Sequence, residues 1–354
     1  MSDEQARLRA EIAKLDADIL DRLAARGALS QRASTLGQGP LYGPEHEAQA
    51  LRAVLADNAG PLPDEAVQRI FREIMAAGIA LERPQAVAYL GPQGTYSEAA
   101  VLKHFGSAPQ AMPQHSIDEV FRAVETGAAH FGIVPVENST EGAVGRTLDL
   151  LLASTVQVSG EVGLRVRHNL MSTATELSQV RRVYSHAQSL GQCTEWLNQH
   201  MPQAERLSAS SNAEAARMAV NDSEAAAIAG EVAAVRYGLT ILAANIEDEA
   251  NNTTRFLVIG RQDAGPSGRD KTSIVCSTSN RAGSVFHLLR ALADEGVSMS
   301  KFESRPSRAG LWEYVFYIDV EGHRSEPAVV RALDAMRASA GFLKVLGSYP
   351  VAVI

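Results

Sequence analysis

Cysteine is nearly absent from the 354 residues: Cys193 and Cys276 stand far apart and fit no metal-ligand spacing. That argues against a disulfide framework and a zinc site, and makes a reducing cytoplasm the expected compartment. Positive charge is also short. Thirty-three Lys and Arg face 41 Asp and Glu, a formal net charge of −8. No basic face is expected to meet phosphates, so nucleic-acid and membrane-surface binding are set aside. No apolar run approaches the roughly 20 residues that span a bilayer. Met1-Ser2-Asp3-Glu4 is too polar and acidic to begin a signal peptide. Low-complexity tracts and solenoid repeats are missing as well. What is present is 45% hydrophobic and 21% charged residues, and length enough for two or three domains with cores of their own.

Three textures follow one another along the chain. Residues 1–84 read as all-α. Leu8, Ile12, Leu15, Ile19 and Leu23 paint one face of a long helix. Gly37-Gln38-Gly39-Pro40 breaks it, Pro44 suits the first turn of a second helix, and Asp64 is a candidate cap for a third that ends at Arg83-Pro84. Residues 86–262 alternate short apolar runs with turns and helical patterns: Val87–Leu90, Phe131–Val136, Val180–Tyr184, Ala225–Ala229 and Phe256–Ile259. This predicts an α/β region with a mainly parallel sheet and ligands beyond the carboxyl ends of the strands. After the linker Asp263–Gly268, residues 270–354 read β-α-β-β-α-β, the order of an α+β ferredoxin-like domain.

The polar segments beside those strands are where chemistry is sought. Gly91-Pro92-Gln93-Gly94-Thr95-Tyr96-Ser97 offers backbone N–H groups and a helix cap near a carboxylate-sized ligand, or is an ordinary turn. Glu137-Asn138-Ser139-Thr140 supplies neutral donors and acceptors, or is a polar loop. Ser185-His186 ends a strand, and Gln192 lies one helical turn beyond Gln188. His186 reads as a structural hydrogen-bonder rather than a base. Asn251-Asn252-Thr253-Thr254-Arg255-Phe256 brings amides, hydroxyls and a guanidinium into an apolar strand. Arg255 has the geometry to grip a carboxylate bidentately. No Ser-His-Asp, HExxH or Walker pattern accompanies them. Such a pocket suits a small polycarboxylate whose reaction needs proton delivery to a leaving group.

These segments, in this order, resemble the motifs of prephenate dehydratase. The region with Glu303-Ser304-Arg305-Pro306 resembles an ACT regulatory domain, and the helical start resembles an AroQ-type chorismate mutase. Across the chain the match is to the bifunctional chorismate mutase/prephenate dehydratase family. The resemblance implies a two-lobed, periplasmic-binding-protein-like dehydratase domain that turns prephenate into phenylpyruvate, CO₂ and water without a metal or cofactor. It assigns Thr254 to the departing hydroxyl, and Asn138, Ser185 and Gln192 to orienting the substrate. Arg255 and the Thr95 loop would hold carboxylates, with Ser97, Glu137, Ser139, Thr253 and Phe256 lining the site. L-phenylalanine is expected to inhibit through Gly283, Ser284, Val285 and Glu303–Pro306, where Ser284 and Val285 depart from the family's Ala-Leu. A homodimer or homotetramer is expected. Full bifunctionality with an active mutase, arogenate as substrate, and a non-enzymatic amino-acid sensor are the rival readings.

For the mutase the resemblance places Arg9, Arg26, His46, Glu47, Gly78 and Glu82 at the site. Arg9 and Arg26 are 17 residues apart, roughly 25 Å along one helix, so a site using both needs a second chain. Gly37 falls where the family has the ether-oxygen lysine, His46 where it has an arginine, and Gly43 where it has a polar or charged residue. Histidine is mostly neutral at pH 7. The expectation is a weak or inactive mutase, retained as a dimerising module, with chorismate as its substrate if any chemistry survives.

Overall fold

The computed structural model describes residues 3–36, 43–82, 84–278, 281–306 and 314–353. The Gly37–Pro40 break and Arg83 lie outside these residues. The helical part comprises α1 (Asp3–Leu36), α2 (Pro44–Ala56) and α3 (Asp64–Glu82). α1 runs unbroken through Gly27 and packs against α3. Its apolar stripe is not buried: Leu8, Ile12, Leu15 and Ile19 are 53, 56, 61 and 56% exposed.

The next region holds two sheets. The first lobe is built from β1 (Ala86–Leu90), α4 (Tyr96–Phe105), β2 (Gln110–Gln114), α5 (Ile117–Glu125), β3 (Phe131–Asn138), the short β4 (Gly142–Ala143), α6 (Gly145–Ala153) and β5 (Gln157–Arg165). The second is built from β6 (Asn169–Ser172), β7 (Arg182–His186), α7 (Ala187–Gly191), α8 (Thr194–His200), β8 (Glu205–Ala209), α9 (Asn212–Val220), β9 (Ala225–Ala229), α10 (Glu231–Tyr237) and β10 (Thr240–Ala243). The chain then returns as β11 (Thr253–Gly260) to lie between β3 and β5. The strand orders are β2-β1-β3-β11-β5 and β10-β6-β9-β7-β8.

The sheets are mixed, which corrects the expectation of a mainly parallel one. β1 pairs in parallel with β2 and β3, but β11 runs antiparallel to both β3 and β5. β7 pairs in parallel with β8 and β9, while β6 is antiparallel to β9 and β10. The reason is the double crossover. A strand that returns from the second lobe enters the first sheet from the opposite end, and a pattern of short apolar runs does not encode that direction.

Local sequence sets the helix starts. α4, α5 and α9 each follow a Ser or Thr with Glu three residues on, and the Thr95, Ser116 and Ser211 hydroxyls accept from the N–H of Glu98, Glu119 and Glu214 at 3.4, 3.2 and 3.0 Å.

The last part consists of β12 (Asp270–Ser277), α11 (Ser284–Asp294), β13 (Met299–Pro306), β14 (Tyr314–Glu321), α12 (Pro327–Ser339) and β15 (Phe342–Pro350), with sheet order β13-β14-β12-β15, all antiparallel. Its helices cover one sheet face. The other face joins the first lobe in a single core in which Val158 and Leu257 meet Val275, Tyr317, Leu346 and Tyr349. The approach is close enough that a Cβ on Gly347 would sit 2.1 Å from the Val158 carbonyl oxygen. Lys344 donates to the Leu151 and Leu152 carbonyls at 2.9 and 3.1 Å, which satisfies the open end of α6.

Candidate active site at the double crossover

The two crossovers between lobes run side by side, bonded from Val166 N–H to the Asn252 carbonyl and from Ile246 N–H to the His168 carbonyl, both 2.8 Å. Asn138 ends β3 directly opposite Thr254 at the start of β11. Side chains from both lobes converge at this crossing.

Their hydrogen bonds form a directed chain. Asn138 Oδ1 accepts from the Thr140 and Glu141 N–H groups at 3.0 and 3.1 Å, which fixes the amide. Its Nδ2 then donates to Asn252 Oδ1 at 2.8 Å and to Thr254 Oγ1 at 2.9 Å. Thr254 is therefore an acceptor from Asn138, and its own proton reaches no described protein group. Asn252 Nδ2 donates to Gln192 Oε1 at 3.2 Å, and His168 Nε2 lies 2.8 Å from the same oxygen. An amide oxygen only accepts, so His168 carries its proton on Nε2. Burial lowers the His168 pKa and keeps the ring neutral. Nδ1 then accepts from the Tyr96 hydroxyl at 2.8 Å, which also lies 2.9 Å from the Arg167 carbonyl oxygen. With Oε1 held by two donors, the Gln192 amide has one orientation. Its Nε2 is buried and has no partner among the described residues. A buried donor without an acceptor costs on the order of 1–3 kcal/mol, and a ligand oxygen would remove that penalty.

The loop before α4 spans the lobes. Glu98, almost wholly buried, pairs with Arg236 of the second lobe and accepts from Gly94 N–H at 2.5 Å. Tyr237 donates across to the Gln93 carbonyl at 3.0 Å.

Of the sequence-derived set, Asn138, Gln192 and Thr254 meet here. Ser185 does not: it is fully buried within the second lobe, its one hydroxyl proton shared between the Ile228 carbonyl at 2.8 Å and Asn212 Oδ1 at 3.0 Å. Arg255 is corrected outright. Adjacent strand residues face opposite ways, so its guanidinium leaves the face that carries Thr254. It meets Glu161 at 2.9 Å, Asp319 at 2.6 Å and the Tyr349 hydroxyl at 3.0 Å. Glu137 is corrected for the same reason: beside Asn138 it faces away and binds Lys301 at 2.7 Å. The Thr95 hydroxyl is occupied by capping α4 and donates to the Leu90 carbonyl at 3.1 Å. Ser97 and Phe256 are buried, Phe256 in the core with Val87, Tyr89 and Val162. Ser139 and Thr253 brace the loop, Ser139 Oγ accepting from Thr253 N–H at 3.0 Å. His168, Tyr96 and Asn252 were missed as site residues. Asn252 and Tyr96 belong to polar segments that the sequence marks, but nothing local marks His168.

The mutase-related residues separate within one chain. Arg26 donates to the Ile74 carbonyl at 3.2 Å, a Cβ on Gly78 would lie 3.0 Å from its Nη1, and its charge opposes the upward shift that burial gives Glu82. Glu47 instead lines a cavity with Arg72. His46 is exposed beside Glu45 at 3.2 Å. Gly37 lies outside the described residues. In the last domain Gly283 caps α11 and is followed by Ser284 and Val285, whereas Glu303–Pro306 lie on the edge strand β13, where Arg305 reaches Asp149 of α6 at 3.5 Å.

Comparison with known proteins gives this arrangement a class. Residues 87–264 match the family model of prephenate dehydratase, residues 8–83 that of chorismate mutase type II and residues 272–338 that of the ACT domain. A bifunctional chorismate mutase/prephenate dehydratase of Neisseria gonorrhoeae is 50% identical over 98% of this chain and 97% of its own length. Two solved structures share the fold. A prephenate dehydratase from Arthrobacter aurescens in complex with L-Phe has a TM-score of 0.69 at 32% identity, over 75% of this chain and 89% of that one. A protein described as a quorum-quenching acylase has a TM-score of 0.70 at 29% identity, over 76% and 99%. The chain belongs to the bifunctional chorismate mutase/prephenate dehydratase family. Among the described residues no helix is long and apolar enough to cross a membrane.

Proposed function

We propose that the crossing of the two lobes is where prephenate is dehydrated, with Thr254 as the group that meets the departing hydroxyl. The ring C–O bond breaks, the ring carboxylate leaves as CO₂, and the electron pair from that C–C bond completes the aromatic ring of phenylpyruvate. A threonine hydroxyl is a weak acid, so it stabilises the leaving oxygen by a hydrogen bond, and the proton that completes water comes finally from solvent. The observation that carries the reading is the Asn138 bond to Thr254 Oγ1, which leaves the threonine proton for the substrate. Gln192 Nε2 is the second donor, aimed by His168 and Asn252. Asn138, with both amide protons engaged, positions Thr254 instead of touching the substrate. Purified protein given prephenate, arogenate and chorismate in turn tests the assignment. Phenylpyruvate from prephenate is expected, and a protein that leaves prephenate unchanged overturns it.

The helical part is read as a dimerising module with weakened mutase chemistry. The unburied stripe Leu8–Ile12–Leu15–Ile19 fits the same face of a second copy, and a site drawing Arg9 from one chain and Arg26 from another needs that copy. Two cations expected of the site are replaced by Gly37 and His46. Phenylalanine control is read from the ACT match and from the relative solved with L-Phe. Dehydratase rates that millimolar phenylalanine does not change would remove it.

A further inference from the structure

A cavity of about 190 Å³ opens where the three parts of the chain meet, and the dehydration chemistry makes no use of it. α2, α3, α4, β5 and the segment after β15 all line it. Leu51, Val162 and Val351 give it an apolar wall, and its charged groups are the cations Arg72 and Lys103 and the carboxylates Glu47 and Glu161. Arg72 donates to the carbonyl of His104, and Lys103 Nζ to the carbonyl of Gly163 at 3.0 Å. These acceptors are neutral, and neither cation makes an ion pair among the described residues, although the Glu47 charge acts on Arg72 and the Glu65 charge on Lys103 from farther off. Burial pushes the Arg72 and Lys103 pKa values down, and the Arg72 charge lowers that of Lys103 further.

The carboxylates on the wall do not balance them. Glu161 is held by Arg255 and Lys271 at 2.9 and 2.8 Å. Glu47 is pushed up to about 7 by burial, so near neutral pH much of it carries no charge. His104, pushed down to about 3 by burial and then by Arg72, stays neutral. Half-buried Arg72 and the more exposed Lys103, neither in an ion pair among the described residues, face one partly protonated acid across an apolar recess, a setting that favours a small anion.

We propose that this junction binds a small monocarboxylate with an apolar body, its carboxylate held by Arg72 and Lys103 and its body against Leu51, Val162 and Val351. The dehydration-site residues Thr254 and Gln192 and the Arg26–Glu82 cluster do not line the cavity; of the mutase-related set only Glu47 reaches its wall. An arylalkyl carboxylate supplied from outside and the product of the dehydration share this chemistry, and the two are distinguished by probe.

The test is calorimetric titration of the full chain with 3-phenylpropionate, phenylpyruvate and 3-phenylpropanol. The wild type is expected to bind 3-phenylpropionate and to bind the alcohol about tenfold or more weakly, as loss of a charge-assisted bond implies. Arg72→Gln and Lys103→Gln should each weaken 3-phenylpropionate by a similar factor, with turnover of prephenate unchanged, which shows that the variants fold. If Arg72→Gln does not fold, Lys103→Gln with Ala48→Phe, which fills the recess, decides alone. Phenylpyruvate binding that keeps a second, Arg72-dependent stoichiometric site assigns the natural ligand to the product. If 3-phenylpropionate alone shows that dependence, the ligand is an acid from outside. Equal affinity in the wild type and both cation variants, or no binding at millimolar concentration, overturns the proposal. Failure of the dehydration reading would appear instead as absent prephenate turnover with this binding intact.

Discussion

Arg255 and Asp319 lie in contact across a domain border, Nη1 to Oδ2 at 2.6 Å, one residue along β11 from Thr254. Around them Ser273 donates to Asp319 Oδ1 at 2.5 Å, and Lys271 joins Glu161 at 2.8 Å. The opposite charges of Asp319 and Glu161, with the Tyr349 hydroxyl beside them, hold the Arg255 pKa well above its ordinary value although burial opposes this. A motif that reads as a substrate clamp is a clamp between domains.

This gives the first prediction. Arg255→Leu should lower the stability of the chain by about 3–5 kcal/mol, because Asp319 and Glu161 are left buried with fewer partners. Arg255→Lys should recover part of the loss and leave the KM for prephenate close to wild type. Urea unfolding and initial rates check both. A KM raised many-fold with unchanged stability would return Arg255 to the substrate.

Thr254→Ala should lower kcat for prephenate by about 10²-fold, the scale of one lost transition-state donor, while Thr254→Ser keeps most of the rate. Asn138→Ala should produce much of the same loss. The double variant should be no slower than Thr254→Ala alone, since the two side chains act as one unit. Rates that multiply would break the proposed relay.

Gln192→Leu removes the buried donor and its link to Asn252. A fall in kcat of about tenfold or more is expected, together with a weaker pH dependence on the acid side. The sign follows from His168, whose folded pKa lies below its ordinary 6.5. Above that value the neutral ring supports the chain of bonds. As pH falls through the depressed folded pKa, a second proton on the ring displaces the Tyr96 donor. Rate profiles of wild type and variant from pH 5 to 8 measure it.

His104 carries a stability prediction. Its pKa is depressed from 6.5 to about 3, so the unfolded chain takes up a proton between those values while the folded chain does not. Its contribution is intact above pH 6.5 and is lost as pH falls toward 3, at up to about 1.4 kcal/mol per pH unit. His104→Gln should flatten the acid limb of stability against pH. An unchanged slope refutes the assignment.

The full chain should convert chorismate far more slowly than the roughly 10 s⁻¹ typical of enzymes, while remaining dimeric by light scattering. Leu15→Glu with Ile19→Glu, placed on the unburied stripe, should yield monomers. Rapid chorismate turnover would overturn the reading of a weakened mutase.

Much of this protein is written locally. The helix caps, the stripe on α1, the βαββαβ order of the last domain and the ordered polar segments depend on residues a few positions apart, so hydrogen-bonding reach and side-chain periodicity suffice to read them. Which face of a strand looks into the site is different. The pleat makes Thr254 and Arg255, or Asn138 and Glu137, point oppositely, but only the packing of the last domain against β5 and β11 decides which member turns to the lobe crossing and which meets Asp319 or Lys301. The direction of β11, the arrival of His168 and Tyr96 beside Gln192, and the cavity between three domains arise from contacts between segments 24 to several hundred residues apart. No local preference carries that information, because the free energy that selects those contacts comes from burying surfaces that exist only once every element is in place.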